Sequence, residues 1–557
     1  MYFDKIEFRQ VAAVTLLILI FFISYVYVVY ASYTPSPFFD SWRLFVEDRF
    51  FLTKLLTHNE HIINMIASVF WIDNTIFLGN GYVQLLLIAV MYVGLAVFFS
   101  SEIIRSIPGK ITLAATAASV CLSATQFTNI TWSFQVGFVG CFAFGLLAIL
   151  SLAKADTSST PLRWLVSSFL CCILSALGLA AGVLLFPVVA LFSLLLNLRA
   201  RAKVTFALSA LVVAALLLHA NQSGAGDLGT THLGSVLPFA IAVLGAFPAT
   251  VVDYRFLGFV FPDYYYTRIG LIAGTILIGL SLYVALKARL AWRSGAISAA
   301  GLWTLPLGLW LGLTAGAIGW GRSQMPIDEA INSRYVTISI LFICALMAAA
   351  ARLRLHRTNS LPLNLFCFAL IALTAASQLD RMAQAEVAGR RFENAESALI
   401  NGAFESPDIL NLFPASMTDS ARKIAQVMKA RRLSVFGKPE YRLVSTPLFS
   451  GTLTYIGSCA VPISTLSAGR GWRTLEATTS AAALGKRQSI LALTDAKSQV
   501  VGVGVGRKRM LGLTSEGGDH SSVLVLDTTA GEKSDLAAFL VSLTASSFCY
   551  AGDVVLR

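Results

Sequence analysis

The feature that most constrains this chain is a series of apolar runs that are each long enough to cross a lipid bilayer. A helix needs roughly 20 residues to cross the hydrocarbon core, and such runs recur at short intervals up to Gln378. Of the 557 residues, 56% are hydrophobic and only 13% are charged, whereas a soluble domain carries about twice that share of charge. The sequence therefore predicts a polytopic α-helical membrane protein.

Hydropathy places eleven membrane spans in the first 380 residues. The apolar run from Val11 is longer than the core of a signal peptide, so it is predicted to be an uncleaved first span. Segment 236–252 is apolar enough to span, but it is predicted to be re-entrant or interfacial; a pair of short spans is the alternative. The eleven predicted spans are 11–31, 82–100, 110–125, 135–153, 164–181, 183–198, 204–219, 269–286, 297–318, 336–351 and 361–378.

The distribution of Lys and Arg predicts the orientation of these spans. With the N-terminus in the cytoplasm, about 15 basic residues fall in six short cytoplasmic segments, and only about seven fall in the longer opposite loops, as the positive-inside rule requires. The net charge of +12 thus reflects topology, and no nucleic-acid partner is predicted. The predicted location is a bacterial inner membrane, with the C-terminal domain in the periplasm.

The residues after the last span form two further regions. Residues 1–380 are predicted to be the membrane domain, 381–440 a helical connector, and 441–557 a small all-β domain of the sandwich or jelly-roll type, because short β-rich segments alternate there with turn residues. Cys459 and Cys549 lie near the start and the end of this last region. An oxidising compartment would permit a disulfide between them, bridging two edges of the domain.

The first external loop carries an unusual carboxylate. Asp40 lies between aromatic residues and close to Trp42, which is a poor setting for a charge that only solvates a loop. His58, Glu60 and His61 form an HNEH cluster, for which an anchoring hydrogen-bonded network is favoured over a divalent-metal site. Two amphipathic helices are predicted near 42–57 and 61–78. Their apolar residues predicted to face lipid are Trp42, Phe45, Phe50, Phe51, Leu55 and Leu56.

Two other external loops contain side chains suited to ligands. Arg322 and Arg334 flank a loop before a span, and guanidinium groups can bind phosphate through two hydrogen bonds; snorkelling of an arginine at the membrane boundary is the alternative. Asn129, Trp132 and Gln135, in the segment TQFTNITWSFQ, suit sugar hydroxyl groups, although helix capping and interface anchoring explain them equally well.

This arrangement resembles the GT-C superfamily of membrane glycosyltransferases. The shared features are an external carboxylate after the first span, a long first loop, many spans and an external C-terminal domain. In detail, the chain is similar to uncharacterised bacterial membrane proteins of that type. The motifs that carry this similarity are Asp40-Ser41-Trp42, His58 to His61, Trp132 to Gln135 and Ser333-Arg334-Tyr335.

The resemblance covers about the first 380 residues as an architecture and implies a reaction. The donor would be a sugar linked to polyprenyl phosphate, and the acceptor would be a glycan, lipid or protein outside the cytoplasm. Arg334, with Arg322, would neutralise the departing phosphate, and Asp40 would be the general base of an inverting transfer. The other residues expected to bind substrate are Tyr335, His58, Glu60, His61, Trp132 and Gln135. Many GT-C enzymes have paired carboxylates in the first loop, but here Ser41 follows Asp40. No metal ligand is therefore assigned, and the sequence leaves open whether Mg²⁺ or Mn²⁺ is a cofactor.

Three other functions are consistent with parts of the sequence. An O-antigen ligase or polymerase shares the donor class and external arginines, but usually depends on a large loop late in the chain. A transporter or flippase would place charges inside the spans and would contain paired broken helices, and almost no charge lies within the predicted spans. A non-catalytic scaffold that displays the β domain would leave the loops of Asp40 and Arg334 without a purpose.

Overall fold

The computed structural model of the chain divides into two compact units. The first contains Met1–Tyr27, Arg49–Val69 and Gln84–Arg381, and the second contains Val28–Asp48, Phe70–Val83 and Met382–Arg557. The second unit is therefore assembled from three separate stretches of sequence. The residues that the structure describes are 5–46, 55–58, 61–107, 110–222, 233–355, 361–438, 440–444, 454–459, 463–469, 472–479, 490–495, 498–506, 520–527, 535–542 and 547–555.

Helices account for most of the chain before the β region. Among the described residues, eight helical segments, some of which join an α-helix to a neighbouring 3-10 helix, are long enough and apolar enough to cross a bilayer, so the chain is a multi-pass membrane protein. The helices are α1 (Lys5–Ser32), α2 (Asn64–Ile76), α3 (Tyr82–Ser106), α4 (Ile111–Cys121), α5 (Phe127–Thr131), α6 (Val136–Thr157), α7 (Pro161–Ala176), α8 (Leu185–Leu195), α9 (Ala200–Gln222), α10 (Leu233–Leu244), α11 (Ala246–Thr250), α12 (Asp263–Arg293), α13 (Thr304–Gly321), α14 (Val336–Arg352), α15 (Leu361–Ile400) and α16 (Thr418–Arg431).

The predicted spans all coincide with helices. Eight fall on the long apolar helices, and the other three fall on the shorter helices α7, α8 and α14. The segment 236–252 is also helical, because it forms parts of α10 and α11, and α10 packs against α12 and α13. A close backbone approach requires glycine here, since a Cβ atom on Gly245 would lie 1.9 Å from the carbonyl oxygen of Gly270.

Of the two helices predicted in the first loop, the second, near 61–78, is present as α2, whereas the described residues of the first, near 42–57, do not form an α-helix. Phe39–Phe45 is a 3-10 helix, β1 (Thr57–His58) pairs with β2 (His61–Ile62), and α2 begins only at Asn64. Three of the side chains predicted to face lipid, Trp42, Phe45 and Leu56, are at most 5% exposed, so that prediction is wrong for them. Apolar spacing indicates a buried face, but it does not distinguish lipid from protein as the partner. Phe50 and Phe51 lie outside the described residues.

The C-terminal β region consists of two sheets over one apolar core. Its strands run in the orders β3-β11-β10-β6-β7 and β4-β5-β9-β8. Leu475 and Leu524 from the four-stranded sheet share a buried cluster with Leu491, Leu493 and Leu540 from the five-stranded sheet. The strands are β3 (Thr454–Ser458), β4 (Ile463–Gly469), β5 (Trp472–Thr479), β6 (Ile490–Thr494), β7 (Val500–Val503), β8 (Val505–Gly506), β9 (His520–Asp527), β10 (Asp535–Ser542) and β11 (Ser547–Val555).

The predicted disulfide between Cys459 and Cys549 is present, with Cα atoms 5.7 Å apart. Its expected placement across two edges of the domain is wrong. Cys459 directly follows edge strand β3, and Cys549 lies in β11, which pairs with β3 in parallel. The bond therefore fastens an edge strand to its own neighbour.

The region predicted to be a helical connector is helical and packs on the β region. After α15 it continues through 3-10 helices at Pro407–Asn411 and Ala415–Met417 to α16. The side chain of Asn401 accepts a hydrogen bond from the backbone N–H of Val503 and donates one to its carbonyl oxygen. A side-chain amide thus extends the hydrogen bonding of β7 within the second unit.

Candidate functional site

In the first unit, two buried glutamines stabilise a break between helices α4 and α5. The Nε2 of Gln126 donates to the carbonyl oxygens of Cys121 and Ser123. Gln378 accepts from the backbone N–H of Ala124 and donates to the carbonyl oxygen of Leu122. A helix break leaves backbone groups without partners, and these side chains supply partners inside an apolar region. The break turns the chain into the segment that carries Asn129 and Trp132.

Asn129 connects this segment to the Ser333-Arg334-Tyr335 motif. Its Nδ2 donates to the carbonyl oxygen of Arg334 at 2.8 Å and to Oγ1 of Thr337 at 2.8 Å. Thr337 in turn donates to Oε1 of Gln126 at 2.7 Å and lies 2.8 Å from the hydroxyl of Tyr92. Because buried polar groups are costly to leave without partners, this network fixes the backbone of Arg334.

Arg334 itself has spare hydrogen-bonding capacity. Its Nη2 lies 4.0 Å from the carboxylate of Glu329, and its guanidinium lies 5.0 Å from the ring centre of Tyr335. The Nε atom is enclosed and has no hydrogen-bond partner, although 31% of the side chain is exposed. A guanidinium with spare donors can bind an anion without first breaking a strong ion pair.

The aromatic and histidine side chains predicted to bind substrate form a connected group. The indole of Trp132 stacks on Phe134 with ring centres 5.4 Å apart, and the ring of His58 meets the edge of Phe134 at 6.0 Å. His61 is the strand partner of His58. His58 of the HNEH motif therefore contacts the WSFQ motif, and Asn129, just before WSFQ, contacts the SRY motif, all within the first unit.

Not every predicted residue joins this group. Within the described part of the first unit, Arg322 contacts the sulfur of Met325 and not the Arg334 turn. Gln135 is buried at the start of α6. Glu60 lies outside the described residues. Among the residues that are described, no three His, Cys, Asp or Glu side chains form a group that could hold a metal ion.

Asp40 lies in the second unit, on the 3-10 helix Phe39–Phe45. The carbonyl oxygen of Leu412 accepts hydrogen bonds from the backbone N–H of Phe39 at 2.8 Å and from the indole of Trp42 at 3.3 Å. Trp42 and Phe413 are both fully buried, with ring centres 5.2 Å apart. The short helix that carries Asp40 is thus fixed from both its first turn and its buried face.

The backbone immediately before Asp40 is strained. Phe39 has φ +46°, a left-handed conformation that costs an L-residue about 1–2 kcal/mol. The hydroxyl of Ser41 accepts from the N–H of Phe38 at 2.7 Å and donates to its carbonyl oxygen at 2.8 Å, which helps to hold the turn. Strain that is maintained by surrounding contacts is concentrated at functional sites in proteins.

Two other acidic residues have structural roles. Asp73 is 1% exposed and accepts hydrogen bonds from the N–H groups of Gly81 and Val83 at the start of α3. Burial raises the pKa of Asp73, and these hydrogen bonds oppose the rise. Burial alone would also raise the pKa of Asp253, but its ion pairs with Arg381 and Arg255 outweigh burial and lower that pKa.

Sequence reasoning missed most of the side chains that hold the candidate residues in place, and it named Asn129 only as a candidate ligand for sugar hydroxyl groups. Asn129, Gln126 and Thr337 support Arg334, while Leu412 and Phe413 support the helix of Asp40. A polar residue within an apolar run was the only available signal for the first three, and no local signal marks the other two. Comparison with protein-family models finds no match, and comparisons with curated proteins and with solved structures find none either.

Proposed function

We propose that the chain is an integral-membrane glycosyltransferase of the GT-C type. It would move a sugar from a polyprenyl-phosphate donor to a glycan, lipid or protein acceptor outside the cytoplasm. The observation that carries this proposal is the set of contacts that connect the HNEH, WSFQ and SRY motifs in the first unit. Histidine, stacked aromatics and an arginine with spare donors are the groups that bind sugar hydroxyls, sugar faces and phosphate.

Arg334 is the proposed ligand of the donor phosphate. When the bond between the anomeric carbon and the phosphate oxygen breaks, polyprenyl phosphate leaves with an added negative charge. A fixed guanidinium stabilises that charge more in the transition state than in the donor. The buried network through Asn129 keeps the Arg334 backbone in one position, which lowers the cost of organising this contact.

Asp40 is the proposed general base. Its carboxylate would take the proton of the acceptor hydroxyl while that oxygen bonds to the anomeric carbon, so that the configuration inverts in one displacement. The fixed 3-10 helix and the strained Phe39 support this role. Arg322, Tyr335, Trp132 and His58 are proposed to contact donor or acceptor; Mg²⁺ or Mn²⁺ remains an optional cofactor.

The same proposal places the chain in a bacterial inner membrane, with eleven spans. The N-terminus would be cytoplasmic and the C-terminal β region periplasmic. Two observations support this orientation: the excess of Lys and Arg in one set of loops, and the Cys459–Cys549 disulfide, which persists in an oxidising compartment.

Transport is the second candidate, because α4 and α5 form a broken helix within an apolar segment. Broken helices expose backbone groups that bind ions or substrates in transporters. Here Gln126 and Gln378 occupy those groups at Cys121, Leu122, Ser123 and Ala124. The break therefore offers little to a transported ion, and we favour the enzyme. A ligase or polymerase acting on the same donor class is the nearer alternative.

The decisive experiment is sugar transfer by purified protein in lipid nanodiscs, with a panel of radiolabelled polyprenyl-phosphate sugars. We expect transfer by the wild type, and a fall of roughly 10²–10⁴-fold in kcat for Asp40→Asn, since general-base catalysis contributes that much. Arg334→Ala should raise the donor KM and lower kcat. Asp419→Asn, which changes an exposed acidic residue of α16, is the matched control.

Either of two results would count against the proposal. If Asp40→Asn transferred sugar at the wild-type rate, Asp40 would not be the base. If folded wild-type protein used no donor in the panel, while it carried a labelled lipid or solute across the nanodisc or a sealed vesicle, transport would replace transfer as the function.

A further inference from the structure

A short loop in the first unit exposes an unusual run of apolar side chains. The sequence Leu257-Gly258-Phe259-Val260-Phe261 precedes α12. Its apolar residues are 40%, 64%, 76% and 54% exposed in chain order. Isolated apolar residues at a surface are ordinary, but four in one five-residue loop form a patch that needs a partner.

The loop is held in a fixed shape by buried charges. One carboxylate oxygen of Asp380 accepts hydrogen bonds from the N–H groups of Phe256 and Leu257 at 2.8 and 3.0 Å. The guanidinium of Arg381 donates to the carbonyl oxygen of Asp253 at 3.0 Å. Both Asp380 and Arg381 are buried. A loop that is only solvated does not need such buried contacts. These hydrogen bonds, which we call the tether, hold the tip of the loop in one orientation.

The tip of the loop folds back onto the residues just before it. Phe259 donates its backbone N–H to the carbonyl oxygen of Tyr254 at 3.2 Å, and Gly258 has φ +90°, a value that L side chains rarely adopt. The apolar side chains therefore project from a compact turn that has its own backbone hydrogen bonds. Because part of the backbone of this turn is already paired, the turn enters a lipid environment at a lower cost than an open loop would.

The exposed surface continues from the loop onto a membrane-spanning helix. Along α12, Ile272, Ile276 and Leu280 are 63%, 57% and 49% exposed at four-residue spacing, which is the pattern of a lipid-facing stripe. Tyr264 and Arg268 extend this stripe towards the loop, and the guanidinium of Arg268 lies 5.0 Å from the ring centre of Tyr264. Tyrosine and arginine are typical of the headgroup level of a bilayer.

We infer that the Leu257–Phe261 loop inserts into the phospholipid bilayer at the boundary between headgroups and acyl chains, as a wedge beside α12. Continuity with the lipid-facing stripe favours the bilayer over a protein partner. The charges near the base of the loop are paired, because Arg255 binds Asp253 and Asp263, so insertion does not bury a net unpaired charge there. The inference does not depend on the proposed transfer reaction.

The test is spin labelling of the full chain in nanodiscs of phosphatidylcholine and phosphatidylglycerol. Cys171→Ala is the parent, because Cys171 is the one free cysteine that is not buried among the described residues, and Val260→Cys carries the nitroxide. We expect the label at Val260 to collide more often with oxygen, which concentrates in lipid, than with a water-soluble nickel complex. Ser159→Cys, in the polar loop between α6 and α7, should show the reverse. Ile276→Cys is the control for a lipid-facing position.

Two readouts decide the inference. Nickel collisions at Val260 that match those at Ser159, with Ile276 still in lipid, would overturn the insertion and point to a partner protein for the loop. Asp380→Asn in the Val260→Cys background should broaden the range of label motion while Ile276 stays unchanged. Unaltered motion at Val260 in that variant would refute the tether.

Discussion

The C-terminal β region should depend strongly on the disulfide between Cys459 and Cys549. Edge strand β3 is otherwise held to β11 by a short parallel ladder, with partners Ser547–Thr454, Phe548–Tyr455 and Tyr550–Ser458. The two cysteines are 90 residues apart in sequence. In the chain-entropy description, a cross-link that closes a loop of that length raises the free energy of the unfolded state by about 4.6 kcal/mol at 25 °C. We therefore expect the double Cys→Ala variant to lose most of the free energy of unfolding of this region.

The assay is proteolysis of the full chain in detergent across a urea series, with fragments identified by mass spectrometry. Cleavage within residues 441–557 should begin at a much lower urea concentration in the double variant than in the wild type. The wild type treated with a reductant should behave like the double variant. Cys171→Ala, which removes a free cysteine outside this region, should leave the cleavage midpoint unchanged.

The result that would refute this reasoning is equally specific. If the double variant and the wild type were cleaved at the same urea concentration, the bond would contribute little to the stability of the region. If intact-mass measurement of the native protein found two alkylatable thiols at these positions, the bond would not form in the cell. The second outcome would also remove one of the two supports for a periplasmic C-terminal region.

Three further predictions concern the supporting side chains and the cofactor. Asn129→Asp should cost about 1–3 kcal/mol, because the carbonyl oxygen of Arg334 loses a donor, and steady-state kinetics should show a raised donor KM; an unchanged KM would separate Asn129 from the donor site. The stabilisation that Asp253 provides should be constant above the unfolded pKa of its carboxyl group and should be lost as the pH drops through its lowered folded pKa. Asp253→Asn removes one of the two carboxylates paired with the buried Arg381, whose ion pair with Asp380 remains. The free energy of unfolding at neutral pH should therefore fall by about 1.5–3 kcal/mol and lose this acid-dependent component, which chemical denaturation across a pH series measures. Transfer should survive dialysis against EDTA, since Arg334 supplies the positive charge; loss that Mg²⁺ or Mn²⁺ restores would assign that charge to a metal ion.

Hydropathy predicted the helices well because a lipid environment imposes one requirement on the backbone. Every backbone polar group within a bilayer must be paired inside its own segment, so a long apolar run has helix as its only simple solution. All eleven predicted spans are helical, including the three that are short. Most strands after Tyr441 were also predictable, because short β-rich segments between turn residues indicate strands. Six such segments coincide with the strands from β5 to β11, whereas β3 and β4 lie outside them.

The first loop was predicted less well, for a reason that its own residues show. Trp42 and Phe45 recur at the spacing of a buried face, and the prediction assigned that face to lipid. In the structure Trp42 packs on Phe413, more than 360 residues later in the chain. The spacing of apolar residues along a segment does not indicate which surface covers its buried face. The error therefore lies in the choice of lipid, and not protein, as the partner of that face. The supporting pairs Asn129–Arg334 and Trp42–Leu412 were out of reach for the same reason.

These distant contacts make the C-terminal region a structural support for the first loop. Val28–Asp48 and Phe70–Val83 fold together with Met382–Arg557 in one unit, and Ser434 donates to the carbonyl oxygen of Pro35 while its N–H binds that of Leu78. A chain cut after Arg381 would therefore expose Trp42 and release the turn that holds Phe39 in its strained conformation. The region after the spans is thus a structural part of the loop that carries Asp40, and any role of Asp40 in catalysis would require it.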